Sequence, residues 1–116
     1  MRYTLLLHYP EMTPEQLGAE AMQEGQRAFA SYASALDAAG VLLAAEVLQS
    51  SASTTTVRVV DGGLRVQDGP FADTKEVFGG YYVFEAGDLD EAIQLAARIP
   101  AARLDGAVEV RPVVER

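Results

Sequence analysis

The sequence predicts an α+β domain built from one sheet and two helices. Three observations carry that prediction. Short apolar or β-branched runs alternate with two stretches of helical periodicity, both helical stretches open on a capping signal, and Asp61-Gly62-Gly63 divides two alternating segments in mid-chain. At 116 residues the chain is long enough for one packed core and too short for two, so residues 1–116 read as a single domain.

The elements follow in order. Residues 2–9 form an apolar and aromatic run that Pro10 ends, a first strand. Thr13 caps a helix that begins at Pro14, where a missing amide costs nothing, and Gln16 completes a capping box. Leu17, Ala21, Gly25, Ala28, Tyr32, Leu36 and Ala39 recur at steps of four and three, joined by Met22, Phe29 and Ala33, which makes one apolar stripe. Gly18 and Gly25 weaken this helix, with 18–20 the place for a break, and Gly40 supplies the C-terminal cap. Val41 to Leu48 reads as a second strand, and Thr54–Val60 with Leu64–Gln67 as a hairpin. Gly80–Glu85 reads as a fifth strand. Asp88 then opens a second helix with Glu91 three residues on, striped by Leu89, Ala92, Ile93, Ala96 and Ile99 and stopped by Pro100. Ala107–Val113 is the last strand.

This order is a ferredoxin-like split βαβ with a β-hairpin inserted between its halves. Right-handed crossovers put both helices on one face of the sheet. Yet LLL in the first strand, VLLAA in the second and YYVF in the fifth are apolar on both sides. An apolar face left bare needs a cover, and an identical chain related by two-fold symmetry is the simplest one. The expectation is a homodimer in the form of a dimeric α+β barrel.

Composition narrows the functional classes. A net charge of −8 with no basic cluster argues against direct nucleic-acid binding. No cysteine is present, which removes thiol nucleophiles and thiolate metal sites. No apolar run approaches the length of a membrane span or signal core, so a cytoplasmic protein is expected. Neither a metal cluster nor a phosphate loop is visible, and no cofactor is expected.

Chemistry gathers at few residues. Histidine is the side chain whose ordinary titration lies nearest neutrality, and His8 is the only one in the chain, either a general base or a satisfied structural group. In the stretch QDGPFADTKEVFGGYYVFE, Pro70 pushes Gly69 toward an extended or glycine-only conformation. Phe71 then reads as an apolar anchor, and Asp68 either caps the turn or points its carboxylate into a cavity. Gly79-Gly80 signals a bulge or a close backbone approach, to a partner chain or a ligand. Tyr81 and Tyr82 must point to opposite faces, so only one can serve a pocket inside the barrel. Glu109 and Arg111 share the face opposite Val108 and Val110, to pair across the dimer or to charge the barrel rim.

DGPFADTKE followed by GGYYVFE, DLDEAIQLAARIP and VEVRPV resembles the DGPF branch of the YCII-related family from the first strand to the C-terminus. The resemblance implies a ferredoxin-like dimeric α+β barrel. It also implies enzymes that rely on a histidine and an aspartate, a related member being a dehydrochlorinase of a chlorinated hydroxyhydroquinone. The family histidine falls near Phe29 here, so His8 does not inherit its role by position, whereas Asp68 matches the DGPF motif itself. Fusion of this branch to sigma-factor-like domains implies a sigma-factor-like protein as an alternative partner. The sequence reading is therefore a small-molecule lyase or isomerase for an aromatic or quinone-like ligand. Asp68 and His8 move or orient a proton, and Tyr81 or Tyr82 donates to a developing oxyanion. The alternative is a non-catalytic module linked to sigma-factor-dependent transcription.

Overall fold

A computed structural model describes residues 1–103 and 105–115. Six strands and three helices follow in the order β1 (Arg2–Pro10), α1 (Pro14–Leu17), α2 (Ala19–Ala38), β2 (Leu42–Val47), β3 (Thr55–Val60), β4 (Gly63–Asp68), β5 (Glu76–Glu85), α3 (Leu89–Ala96) and β6 (Ala107–Pro112). Four strands form an antiparallel sheet in the order β2-β5-β1-β6, and β3 and β4 pair only with each other. This is the split βαβ order with a hairpin inserted.

The local signals act as their chemistry demands. Thr13 Oγ1 accepts from the Gln16 amide at 3.2 Å while Gln16 Oε1 accepts from the Thr13 amide at 2.9 Å, a reciprocal box. Gly18 breaks the helix in two, its φ of 88° being open to glycine at little cost. At the other end Gly40 donates to Asp37 and Val41 to Leu36, the paired bonds of a Schellman cap. Asp88 accepts from the Glu91 amide at 2.9 Å, and Glu91 reaches back to the Gly87 amide at 2.9 Å. Asp61 and Gly62 both have positive φ, 52° and 77°, as a two-residue hairpin turn requires.

Both helices lie on one side of the sheet. Tyr3, Leu5, Leu7, Tyr82 and Phe84 point into that layer and are buried with Tyr32, Leu36, Ala92, Ala96 and Ile99, and no charged or polar residue is buried among the described residues. Tyr32 ties the helices together, donating to Leu95 O at 2.6 Å and meeting the Tyr82 ring edge-on at 5.2 Å. Burial raises the Tyr32 phenol above its ordinary range, with Tyr82 adding to the shift and Arg98 opposing it.

Three expectations change. The second helix buries Ala92, Ala96 and the following Ile99, but Leu89 and Ile93 stay about half exposed, because eight residues turn only a narrow stripe to the sheet. The stripe of α2 is fully buried only at Tyr32 and Leu36; toward its N-terminus a hollow of about 580 Å³ opens between Met22, Phe29, Ala45 and Tyr82. Finally, β5 begins at Glu76, four residues before the Gly80 that looked like its start.

The glycine pair lies inside the strand. Leu7 pairs with Gly80 and His8 with Phe78, which leaves Gly79 as the extra residue of a β-bulge. A Cβ on Gly79 would collide with the Tyr9 ring, whose hydroxyl donates to Gly79 O at 3.2 Å, and a Cβ on Gly80 would stand 2.8 Å from Glu46 O of β2. The close approach is therefore made by the chain's own Tyr9 and β2.

The other side of the sheet carries no helix. Thr4, Leu6 and His8 of β1 share it with Phe78, Tyr81 and Val83 of β5, Ala44 and Glu46 of β2, and Ala107, Glu109 and Arg111 of β6. Its centre is apolar and its edge strands carry the charges. The VLLAA run of β2 also turns apolar residues both ways, Leu42 and Ala45 to the core and Ala44 to the open face, with Glu46 the charge on its outer side.

Candidate functional site

The open face builds the candidate site at its β1 C-terminal end. His8 lies opposite Phe78, their rings 5.8 Å apart, because the bulge at Gly79 reverses the alternation of β5 and brings Phe78 to this side. From the opposite neighbour β6, Glu109 Oε1 comes within 2.5 Å of His8 Nε2. No acceptor stands in line with an Nε2–H, and Nε2 is closed off from solvent, so this is a close approach of imidazole and carboxylate rather than a well-directed hydrogen bond.

A cavity of about 880 Å³ opens above His8. Phe78 shares its floor with His8, Thr54, Thr55 and Thr56 wall one side, and Pro70 and Phe71 wall another. Bonds hold these walls. The Glu11 carboxylate accepts from both the amide and the hydroxyl of Ser51 at 2.6 Å, pinning the rim before β3. Gly69 donates to Thr54 O at 2.8 Å and accepts from the Thr56 hydroxyl at 2.7 Å, which fixes the turn to the hairpin base. Gly69 reaches a φ of 97°, the glycine-only conformation that Pro70 enforces on its neighbour.

The turn does not anchor a core. Phe71 is 71% exposed and its ring lies 5.4 Å from the Arg58 guanidinium, a cation–π contact on the hairpin. A turn pinned through its backbone leaves the ring free for the cavity mouth, which corrects the anchor reading.

The four residues singled out in the sequence are only partly brought together. His8 is on the cavity floor, and Tyr81 shares its face of the sheet, opposite Leu6. Asp68 ends β4 beside the turn, exposed and outside the cavity lining; among the described residues its carboxylate makes no hydrogen bond or ion pair. Tyr82 points the other way, buried under the helices with the sheet between it and His8. Its phenol is pushed up by burial and by Tyr9. Glu109, read from the sequence as a partner across the dimer or a charge at the barrel rim, instead stands beside His8. Its outward face was legible from alternation, but its partner depends on the register of β6 against β1, which no local pattern carries. Among the described residues no group of three or more His, Asp or Glu side chains is placed to hold a metal ion, and no helix is long and apolar enough to cross a membrane.

The model of the YCII-related domain matches residues 1–116. The chain belongs to the YCII-related family. An uncharacterised protein of Rhizobium meliloti (strain 1021) is 31% identical over 114 residues, covering 97% of this chain and 92% of that one. The YCII-related frame and its open sheet face are thus the setting in which the His8–Glu109 pair has to be read.

Proposed function

We propose that this YCII-related protein is a DGPF-branch dimeric α+β barrel that binds a small aromatic or quinone-like molecule and moves a proton on it, as a lyase or isomerase does. The observation that carries this reading is the approach of the chain's single histidine to Glu109 at the floor of an 880 Å³ cavity. With Nε2 engaged by Glu109, Nδ1 is the nitrogen left to accept a proton from an acidic C–H or O–H of the ligand. The Glu109 carboxylate orients the imidazole and stabilises the imidazolium that forms. The electron pair left on the ligand then either expels a leaving group from the adjacent atom or takes the proton back at another position. Phe78 and Phe71 supply faces for an aromatic ring, and Thr54, Thr55, Thr56 and Asp105 are polar groups of the lining that can orient it, whereas Asp68 and Tyr81 stand outside that lining.

The dimer reading is supported by the layout of the open face. An apolar centre at Leu6, Tyr81 and Val83 flanked by Glu46, Glu109 and Arg111 has the core-and-rim arrangement of a protein–protein interface. A second copy covering it also shuts water out of the cavity, which strengthens the attraction of Glu109 for the imidazolium that forms.

The test is a titration with hydroquinone, followed by amide and imidazole chemical shifts. Shifts are expected at His8, Phe78, Phe71 and Thr54–Thr56 and are lost in Phe78→Ala. An unchanged His8 imidazole and unchanged cavity amides at millimolar hydroquinone sink the small-molecule reading.

A further inference from the structure

We infer that the β3–β4 hairpin is an arm that lies, by its apolar face, against a second copy of this chain. The inference rests on the dimer reading above and adds to it the surface that makes the interface large enough to hold.

The hairpin is a two-faced ribbon. Thr56, Arg58, Arg65 and Gln67 occupy one face, and cross-strand register puts Val57 opposite Val66 and Val59 opposite Leu64 on the other. The four apolar residues are 60–71% exposed. A polar face is what solvent asks for, and an apolar one of this kind in a single copy has no partner.

The ribbon also stands away from the body. Its strands pair with neither edge of the four-stranded sheet, and an isolated two-stranded hairpin is marginal in water. The chain measures 45 × 43 × 20 Å with a radius of gyration of 16.0 Å. A compact domain of this length has a radius of about 13 Å. The excess is extension, and the long apolar ribbon is what extends.

The occupant follows from size and continuity. A stable two-fold interface takes about 20–30 residues a side. The sheet's strands have nine, six, ten and six residues, and only alternate ones face outward, so the open face alone falls short. The arm supplies the remainder from a surface that adjoins the first. Its base, Thr54–Thr56, is the wall of the cavity over His8, so a copy laid on the open face meets the arm at that wall.

The experiment is self-association measured by sedimentation equilibrium. In Val57→Lys/Leu64→Glu the new charges lie diagonally across the ribbon and suit each other, while the apolar face is lost. The dissociation constant is expected to rise by at least about tenfold, since charges must then be desolvated at the contact. Hydrogen exchange on the unmodified protein gives a second reading: β3–β4 amides should exchange slowly in the dimer and quickly on dilution. A wild-type dimer whose constant is untouched by the pair, or whose arm amides exchange equally fast in both states, overturns the arm and leaves the sheet interface standing. Loss of association in Leu6→Lys with no effect of the arm pair has the same meaning. A wild-type chain that stays single at micromolar concentration overturns the dimer reading itself.

Discussion

The two faces of the four-stranded sheet are made from the same strands and answer to different rules. On the covered face Leu5 and Phe84 are fully buried and Tyr3, Leu7 and Tyr82 nearly so, with the helices closing the layer. On the open face Thr4, Leu6, Tyr81 and Val83 stay half-exposed, and the outer strands place Glu46, Glu109 and Arg111 around them. Buried apolar area therefore concentrates on one side and charged side chains on the other. A substitution should report which side it touches by the kind of damage it does.

The largest effect belongs to the covered face. Phe84→Ala removes a ring with no solvent exposure and is expected to cost about 3–5 kcal/mol in urea unfolding. Its counterpart Leu6→Ala, half-exposed on the other face, is expected to cost about 1 kcal/mol in dilute protein. Equal losses would erase the distinction between the faces.

Gly80→Ala comes next. The new Cβ would meet Glu46 O, a backbone atom that can yield only if β2 shifts from β5, and such overpacking costs about 1–3 kcal/mol. Hydrogen exchange should locate the damage at the β2 amides and spare β6.

Tyr32→Phe sharpens the comparison at lower cost. It deletes the bond to Leu95 O between the two helices, worth about 1 kcal/mol. The alkaline limb tests the same group. Tyr9, Tyr32 and Tyr82 all have phenol pKa values raised above 10.0 by burial first of all. A raised folded pKa means that the folded chain holds its protons longer. This contribution is whole below pH 10 and is lost as pH climbs from there through the folded values. Unfolding and tyrosinate absorbance should consequently rise together on the alkaline side, and Tyr32→Phe should reduce that pH dependence.

The smallest stability effect is expected on the open face. Glu109→Gln and His8→Asn break a pair whose carboxylate is about half exposed, so folding should change by less than about 1 kcal/mol. The hydroquinone-induced shifts should nevertheless disappear in His8→Asn. A large stability loss from either substitution would return the pair to architecture.

Legibility in the sequence follows the same division. The capping residues Thr13, Gln16, Asp88 and Glu91 and the turn residues Gly40, Asp61 and Gly62 act on neighbours a few positions away, so their chemistry could be read directly. The covered face was legible in part, since the periodicity of α2 pointed to Tyr32 and Leu36 in one core. Gly79 and Gly80 announced a bulge and a close approach, and both are there, but the start of β5 and the neighbours themselves, the Tyr9 ring and the Glu46 carbonyl, lie beyond any local pattern. Leu89 and Ile93 misled because period alone does not say how wide a stripe a short helix can bury. The cavity needed knowledge of which strands are neighbours and in what register, and Glu109 entered the site only through that register.

The extra residue in β5 has an inheritance consequence. Before it, residues 76–78 line the hollow; after it, Tyr82 and Phe84 enter the hydrophobic interior. Drift in the leading segment can reshape the hollow while the trailing segment keeps the fold intact. Deleting the extra residue would regularise the ladder with the Phe78 ring still opposite the histidine, since Gly80 and Phe78 already pair with successive residues of β1.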